Sequence, residues 1–575
     1  MDETPITAKF KELAKVTSKG VRFADATGAV KHYSYAELMK QARRVANGLR
    51  MQGVQPGDPV ILVMTNPQAA ILTILGCMML GCPPTPVYPP LNLQAVPGFL
   101  RFMKHVADRS AATMIIAEGH PYSFLGSIPH QTRSVRNVVK FEVLIREGCN
   151  DDFVVSENPV AFLQFTSGST SEPKGVVVSH RGLAANLWMI REASHMTGSS
   201  CVVTWLPVYH DMGLIGTVLN AITLPCDLVV LPPILFLRKP RLWLELITEH
   251  RGTHTAAPNF AFGICVRRIS DVSGLNLSSM TTFICGAEPV LPATIEKFVE
   301  HFQPAGLNPG ALVPAYGLAE ATLAVTFTPF LRGLKSDRVE LAALSEARFA
   351  KPANGADSPS VGIASCGEPM PGLSVRVANE DGVPLADRHV GEVQVSGPSV
   401  TSGYIGDENA TRDSKTSDGW LKTGDLGYIV NGELYVCGRT KDVIIIRGKN
   451  FHAHDLESIA SEVPGIRTGN VVAFSSAKQN GEVLVVIAET RKGNDAEPLK
   501  RNVRKHISES LGITPDEVII VPAATLPKTS SGKLKRLETK RLFETGKLHS
   551  RPGKASAYLE AIKSGLGFLL PKARS

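Results

Sequence analysis

Apolar residues along the chain follow two patterns: short continuous apolar runs, and longer segments in which they recur at helical spacing. The β-branched runs Val60 to Met64 and Cys201 to Leu206 predict buried strands. Tyr35 to Met51 and Pro240 to His250 carry apolar residues on one helical face, whereas Ile74 to Leu80 is apolar all round and predicts a buried helix. This alternation predicts an α/β fold, with a large N-terminal domain of helix-covered sheets.

The pattern changes near Gly438, where short strands and two helices predict a small α+β domain. The boundary is expected between residues 440 and 441, which gives an N-terminal domain of 1–440 and a C-terminal domain of 441–575. Strands are predicted at Val443 to Ile446, Val471 to Phe474, Val483 to Glu489 and Val518 to Val521, and helices at Asp455 to Val463 and Leu499 to Leu511.

Composition and charge narrow the class of protein. The 575 residues exceed the size of one hydrophobic core, and the 43% apolar and 20% charged residues are ordinary globular usage. The net charge of +8 is dispersed rather than clustered, so no nucleic-acid partner is expected. The nine cysteines include no CxxC pair and are expected to be reduced and mostly buried.

Targeting signals are not evident in the sequence. The N-terminal stretch mixes acidic and basic residues without an apolar core, and the longest apolar stretch, Ile71 to Cys82, is too short to cross a bilayer. No membrane span is therefore expected, and the cytoplasm is the expected location. A basic tail begins near His549; we expect it to dock on its own domain, the alternative being a membrane anchor.

The strongest chemical signal is Thr166 to Gly175, TSGSTSEPKG, between two strand-like apolar runs. Glycines permit close backbone approach, hydroxyls can donate to phosphate oxygens, and Lys174 supplies a positive charge. The loop lacks the GxxxxGK[ST] order of the common P-loop. We interpret it as a triphosphate-binding loop; the alternative is a Ser/Gly-rich surface turn.

This loop resembles the phosphate-binding motif of the adenylate-forming superfamily, which includes acyl-CoA synthetases, peptide-synthetase adenylation domains and luciferases. Further segments resemble the family's other motifs in the same order. They are AYGLAEATL at Ala315 to Leu323, LKTGDLGY at Leu421 to Tyr428, GRTKDVIIIRGKN at Gly438 to Asn450, and PKTSSGKLK at Pro527 to Lys535. The resemblance implies ATP and Mg²⁺ as cofactors.

The resemblance also implies a set of nucleotide-binding residues. Asp425 would accept both ribose hydroxyls, Arg439 would be the second ribose contact, and Tyr316 would offer an aromatic face to adenine. The alternatives are a turn residue, a surface charge and a core tyrosine respectively. The ATP- or AMP-binding set is Thr166, Ser167, Gly168, Ser169, Thr170, Lys174, Gly175, Gly286, Ala287, Glu288, Pro289, Tyr316, Gly317, Leu318, Ala319, Asp425 and Arg439.

Three residues are expected to be catalytic. Glu320 resembles the family's magnesium ligand, with a solvated helix-end carboxylate as the alternative. Lys533 resembles the lysine that the small domain inserts into the active site, where it would stabilise charge in the transition state; solvated surface lysine is the alternative. His210 would meet the substrate carboxylate or phosphate, or else belong to a capped helix start beside Asp211.

Other motifs resemble fatty acyl-AMP ligases in particular: WLPVYHDMGLIG at Trp205 to Gly216 and GAEPV at Gly286 to Val290. Residues 331–361 lack strong periodicity and resemble the insertion that distinguishes these ligases; a long surface loop is the alternative. Phe260 would line the acyl tunnel or fill the core. Ala319 and Cys285 depart from threonine and asparagine, which are expected in parts of the family.

The resemblance implies a fatty acid substrate and transfer of the acyl group to the phosphopantetheine thiol of an acyl carrier protein, in polyketide or lipopeptide synthesis. Lys441 resembles the hinge about which a mobile small domain would swing; a loop lysine is the alternative. Competing hypotheses are an acyl-CoA synthetase, a peptide-synthetase adenylation domain, and a non-catalytic nucleotide- or acyl-binding regulatory protein.

Overall fold

The computed structural model describes residues 4–90, 96–147, 158–166, 173–353, 360–446, 449–478, 481–490, 495–511, 513–528 and 533–548. Its strands are β1 (Gly20–Ala24), β2 (Val30–Ser34), β3 (Val60–Val63), β4 (Pro84–Val87), β5 (Met114–Ala117), β6 (Asn137–Lys140), β7 (Val160–Phe165), β8 (Gly175–Ser179), β9 (Cys201–Thr204), β10 (Asp227–Val230), β11 (His254–Ala257), β12 (Thr282–Cys285), β13 (Leu312–Gly317), β14 (Ala324–Phe327), β15 (Ser336–Glu340), β16 (Ser360–Ala364), β17 (Glu368–Pro369), β18 (Ser374–Ala378), β19 (Gly391–Ser396), β20 (Leu421–Val430), β21 (Glu433–Arg439), β22 (Val443–Ile446), β23 (Lys449–His452), β24 (Ile466–Lys478), β25 (Gly481–Thr490) and β26 (Glu517–Pro522).

Helices cover both faces of the larger sheets. They are α1 (Phe10–Leu13), α2 (Tyr35–Met51), α3 (Pro67–Leu80), α4 (Val96–Ser110), α5 (Phe141–Glu147), α6 (His180–Ser194), α7 (Asp211–Gly213), α8 (Asn220–Thr223), α9 (Pro233–Arg238), α10 (Pro240–Glu249), α11 (Asn259–Arg268), α12 (Pro292–Phe302), α13 (Leu341–Glu346), α14 (Glu408–Asp413), α15 (Ala453–Glu462), α16 (Ala496–Leu511) and α17 (Arg536–Glu544). A π-helical turn, Leu214–Leu219, joins α7 to α8.

The largest sheet has the strand order β17-β14-β13-β12-β11-β9-β10-β1-β2. From β13 through β1 neighbouring strands are parallel. Parallel strands are usually covered on both faces, and these are short apolar runs buried between helices. Since the strands are parallel, their carboxyl ends lie along one edge of the sheet.

A second, parallel sheet has the order β4-β3-β5-β6, and β7 and β8 form an antiparallel hairpin. The helix predicted at Tyr35 to Met51 is confirmed with the same first and last residues. It begins at Tyr35 because Ser34 and Glu37 form a capping box there. The buried helix predicted at Ile74 to Leu80 is confirmed as part of α3.

The fold class is confirmed, with a small C-terminal domain built on the sheet β24-β25-β26 and helices α15 and α16. Val443–Ile446 is a strand at the predicted residues, and the other predicted strands and helices lie within or overlap β24, β25, β26, α15 and α16. The boundary between residues 440 and 441 stays a prediction. The predicted tail from about His549 lies outside the described residues.

The segment 331–361 differs from a long surface loop in its described part. Strands β15 and β16 pair antiparallel with α13 between them. Val339 and Leu344 join a buried cluster with Tyr428 and Tyr435 of the sheet β18-β19-β20-β21. The described part of this segment is therefore an antiparallel strand pair with a helix, packed against that sheet, and residues 354–359 lie outside the described residues. That this segment is the insertion of fatty acyl-AMP ligases stays a prediction.

The predictions about the cysteines and about a membrane span can be compared with the structure. Eight of the nine cysteines lie in the described residues, and all eight are free and buried, as expected. No helix in the described part of the chain is both long and apolar enough to cross a bilayer. The expected cytoplasmic location stays a prediction.

Candidate functional site

Four of the segments singled out in the sequence follow adjacent parallel strands of the large sheet. Trp205 follows β9, Phe260 lies just beyond β11, Gly286 follows β12, and Tyr316 is the last residue but one of β13. Open α/β sheets bind their ligands outside the carboxyl ends of the strands. The fold therefore brings distant motifs together at one edge.

The predicted phosphate loop connects β7 to β8, whose ends pair at Phe165 and Gly175. The backbone N–H of Thr166 donates to the carbonyl of Lys174 over 3.0 Å, which closes the base of the loop. A Cβ on Gly175 would lie 2.6 Å from Cγ2 of Ile405, so glycine is required by close packing here. The loop residues Ser167, Gly168, Ser169 and Thr170 lie outside the described residues.

Tyr316, Asp425 and Arg439 form one hydrogen-bonded group. The Tyr316 hydroxyl donates to Oδ2 of Asp425 over 2.7 Å, and Nε of Arg439 donates to Oδ1 over 2.8 Å. Asp425 and Arg439 are cross-strand partners on β20 and β21, which fixes their spacing. Each carboxylate oxygen retains a lone pair for a further donor, so the group suits recognition of two neighbouring hydroxyls.

Electrostatics in this group follow from burial and pairing. Asp425 is buried, and its charge raises the pKa of Arg439 above the usual value. Burial, together with the Asp425 charge, raises the pKa of Tyr316 well above 10, so the hydroxyl stays protonated and donates. The Asp425 side chain is only 7% exposed, whereas the Arg439 side chain that pairs with it is 55% exposed. The assignment of both residues to ribose binding stays a prediction.

The segment Gly286 to Pro289 lies between β12 and α12. Ala287 has φ of 66°, a left-handed conformation that residues with a Cβ rarely adopt. Oε1 of Glu288 accepts from the backbone N–H of Phe260 over 2.6 Å and so caps the start of α11. Burial raises the pKa of Glu288, although Lys533 and Lys528 oppose the shift.

Beyond Tyr316, the chain turns sharply through Gly317, Leu318 and Ala319. A Cβ on Gly317 would lie 1.9 Å from the carbonyl oxygen of Leu323, so the turn requires glycine. The turn Ala319–Ala321 then presents Glu320, whose Oε1 accepts from the Tyr404 hydroxyl over 2.8 Å. Burial raises the pKa of Glu320, and the Tyr404 hydrogen bond opposes this.

Among the described residues, no group of three or more His, Cys, Asp or Glu side chains is arranged to hold a metal ion. Magnesium commonly uses only one or two carboxylates and takes its other ligands from water and phosphate. Glu320 is a partly buried carboxylate that accepts a hydrogen bond from a neutral hydroxyl and pairs with no cation in the described part of the chain. It therefore fits a magnesium ion that arrives with a nucleotide.

His210 stands at the start of the helical stretch that contains the π turn. Its Nδ1 lies 2.7 Å from Oδ1 of Asp211, which also accepts from the backbone N–H of Met212 over 2.7 Å. Burial acts to raise the pKa of Asp211, but His210 and Lys533 hold it below the ordinary value. The capped helix start is thus present, and Nε2 is the ring nitrogen that a substrate could meet.

Lys533, from the small domain, lies within electrostatic reach of Asp211, Glu288, Asp425 and Arg439. Burial and the Arg439 charge lower the pKa of its ammonium, and the carboxylates oppose this shift. Charged groups from distant parts of the sequence, Asp211 among them, therefore influence the pKa of this one amine. The Lys533 side chain is partly buried, and its catalytic role stays a prediction.

The structure also gives the surroundings of Phe260, the predicted acyl-binding residue, and of Lys441, the predicted hinge residue. The ring of Phe260 packs edge-on against Trp205, with centroids 6.2 Å apart, so it joins the core around the site. Lys441 is exposed in the turn Thr440–Asp442, between β21 and β22. The structure thus places Lys441 on the connection to the small domain.

One site residue, Tyr404, has no counterpart in the sequence predictions. Its hydroxyl bonds Glu320, and Nζ of Lys174 lies 4.7 Å from its ring centroid. The sequence offers only an aromatic residue in SGYIG, flanked by glycines, which does not point to Glu320 or Lys174.

Comparisons with known proteins identify the family of the chain. The model of the AMP-binding enzyme family matches residues 10–405, and that of the AMP-binding enzyme C-terminal domain matches residues 455–533. JamA of Moorena producens, a medium-chain-fatty-acid–[acyl-carrier-protein] ligase, is 32% identical over 559 residues, which cover 90% of this chain and 91% of JamA. A Caulobacter vibrioides protein named as an acyl-CoA synthetase is 32% identical over 550 residues, 94% of this chain and 96% of that protein.

A solved structure from a study of fatty acyl-adenylate ligases of E. coli and L. pneumophila matches with a TM-score of 0.88 and 29% identity, over 95% of this chain and 99% of that one. The chain therefore belongs to the AMP-binding enzyme family. Within it, the protein is an adenylate-forming ligase that uses ATP, and it is similar to fatty acyl-AMP ligases.

Proposed function

We propose that the protein activates a fatty acid as its acyl adenylate and then passes the acyl group to the phosphopantetheine thiol of an acyl carrier protein. The observation that carries the proposal is the hydrogen-bonded group of Tyr316, Asp425 and Arg439, which begins at the carboxyl end of β13. Lys533 is near enough for Arg439 and the surrounding carboxylates to influence the pKa of its ammonium. A nucleotide site and a mobile positive charge are both required for adenylation.

In the first half-reaction, an oxygen of the fatty acid carboxylate attacks the α-phosphorus of ATP. A carboxylate–phosphorus bond forms, the bond from the α-phosphorus to the bridging oxygen breaks, and pyrophosphate leaves. Asp425 and Arg439 hold the ribose, Tyr316 and the 286–289 segment face adenine, and Thr166, Lys174 and Gly175 border the phosphates. The Lys533 ammonium stabilises negative charge that builds up around the phosphorus.

Glu320 is the residue that would hold magnesium, and its partly buried position beside a neutral hydroxyl supports this role. When bound with ATP, the ion would reduce the negative charge that opposes attack on the phosphate. His210, with Nδ1 engaged by Asp211, would offer Nε2 to the substrate carboxylate or phosphate. Phe260 would border the acyl chain.

In the second half-reaction, the carrier thiol attacks the acyl carbonyl and AMP leaves. Lys441, exposed on the connection between β21 and β22, is the proposed hinge at the 440/441 boundary. The insertion lies close enough to act on this motion, because α13 lies next to β23 of the small domain. This contact supports the proposal that the insertion limits the positions of the small domain.

The test is exchange of labelled pyrophosphate into ATP, measured with a series of fatty acids and, separately, with amino acids. We expect exchange that depends on fatty acid and on magnesium. Exchange with amino acids alone would instead identify a peptide-synthetase type of adenylation site. No exchange with any acid would indicate a regulatory protein that binds nucleotide without turnover.

An acyl-CoA synthetase is the second candidate, favoured by the name of the Caulobacter vibrioides relative. It would share the first half-reaction and differ only in the thiol that accepts the acyl group. The packed insertion beside β23 weighs against it, because it restricts the region through which the small domain would move.

A further inference from the structure

The segment around Tyr404 connects the phosphate loop with the turn that carries Glu320. The Val177 N–H donates to the carbonyl of Gly403 over 3.0 Å, and the Ile405 N–H donates to the carbonyl of Gly175 over 2.8 Å. On the other side, the Thr401 N–H donates to the carbonyl of Glu320 over 2.7 Å. The backbone of Tyr404 is therefore held between two parts of the site.

The Tyr404 side chain contacts both parts as well. Its hydroxyl donates to Oε1 of Glu320 over 2.8 Å, while Nζ of Lys174 lies 4.7 Å from the ring centroid. A carboxylate rotates freely about its last bond unless a donor fixes one oxygen. A lysine ammonium over an aromatic face likewise loses some of its rotational freedom. One residue thus restrains an anion and a cation that belong to the same phosphate site.

We propose that Tyr404 is a positioning residue that orients Glu320 for magnesium and Lys174 for the phosphates of ATP. Through its hydroxyl it fixes Oε1, which would leave Oε2 to bind the ion; through its ring it restrains the Lys174 ammonium near the base of the phosphate loop. Magnesium demands near-ideal octahedral geometry, so a fixed ligand oxygen matters more for it than for larger cations. The inference rests on the proposed role of Glu320.

The experiment compares Tyr404→Phe with Tyr404→Leu. The phenylalanine variant keeps the ring and removes the hydroxyl, whereas the leucine variant removes both. A matched control is Tyr428→Phe, since the Tyr428 hydroxyl donates to Oδ2 of Asp337 over 3.0 Å in a buried tyrosine–carboxylate pair. ATP affinity is measured by calorimetry at increasing magnesium concentrations, and pyrophosphate exchange is measured in parallel.

We expect Tyr404→Phe to raise the magnesium concentration for half-maximal ATP binding by about three- to tenfold, because a hydrogen bond to a charged group is lost. Replacing magnesium with the larger calcium ion should reduce this difference. Tyr404→Leu should in addition weaken ATP binding in the absence of divalent ions, through Lys174. Tyr428→Phe should leave both quantities unchanged.

A double-mutant cycle checks the route through Glu320. In a Glu320→Gln background, Tyr404→Phe should cause no further change in the magnesium dependence. The proposal is overturned if Tyr404→Phe, with an unfolding midpoint like that of the parent, binds ATP with unaltered magnesium dependence. If instead the proposed function were wrong, the result would be different, because pyrophosphate exchange would be absent in the parent protein as well.

Discussion

Replacing Lys533 by alanine is expected to slow adenylation by about 10²- to 10³-fold without a comparable change in the KM for ATP. The amine is the positive charge that the small domain brings to Asp211, Glu288 and Asp425. A unit charge about 4 Å from its partner is worth roughly 4 kcal/mol at an effective dielectric constant of about 20. A loss of roughly 3 to 4 kcal/mol in the transition state corresponds to that range of rates.

The surrounding charges set the direction of this effect. Without Lys533, the carboxylates that face it remain and repel the negative charge developing at the phosphorus. Arg439 is paired with Asp425 through its Nε, so the charge of Asp425 already offsets part of its positive charge. Ground-state nucleotide contacts through Tyr316 and Asp425 stay in place, so ATP binding should be largely retained.

Single-turnover formation of acyl-AMP by rapid quench, with ATP affinity measured separately, distinguishes these quantities. Lys535→Ala is the control, since Lys535 lies two residues away and pairs with Glu538 over 3.2 Å. We expect the control to stay within about twofold of the parent. A Lys533→Ala protein that forms acyl-AMP less than roughly threefold more slowly than the parent would refute the catalytic role of this lysine.

Three further predictions follow from the same contacts. Asp425→Asn should raise the Kd for ATP by roughly 10- to 100-fold while the fold persists, measured by calorimetry, because a charged acceptor for the ribose is lost; an unchanged Kd would contradict the ribose assignment. Burial lowers the pKa of Lys533, and the protonated amine is the active form, so the adenylation rate should fall as pH rises through a pKa below that of an ordinary lysine. Lys533→Arg should abolish this fall in rate at alkaline pH, and an identical fall in both proteins would rule Lys533 out as its source. Glu433→Gln should lower stability to urea by about 1 to 3 kcal/mol, because the buried carboxylate lies 2.7 Å from both Arg332 and Lys335; no shift in the urea midpoint would show that this pair does not hold the insertion in place.

Local sequence signals predicted the regular elements well. The helix Tyr35–Met51 has a capping box at its start and an apolar face along its length, and both signals can be read from its own residues and the one before it. The motifs around Thr166, Tyr316, Asp425 and Lys533 are identified by their resemblance to a family. Of these residues only Tyr316 lies on the large parallel sheet; Thr166 follows β7 of an antiparallel hairpin and Asp425 lies on β20 of an antiparallel sheet, so the packing of separate sheets, which the sequence does not reveal, decides how they are arranged.

Features that depend on distant contacts were not predicted. Strands β15 and β16 are five residues long, and in β15 only Val339 is buried, so no alternating pattern marks them in the sequence. Their anchor, Glu433, lies about a hundred residues from Arg332 and Lys335. Tyr404 likewise gains its place from pairing beside β8, which the sequence does not reveal.

The most direct test of the central claim is a mass-spectrometric time course of the purified protein with ATP, magnesium and a mid-length fatty acid. Three parallel reactions contain no acceptor, coenzyme A, or a phosphopantetheinylated acyl carrier protein. We predict that acyl-AMP accumulates alone, is not consumed by coenzyme A, and disappears as the carrier becomes acylated. Rapid formation of acyl-CoA, or no acyl-AMP with any chain length, would contradict the account.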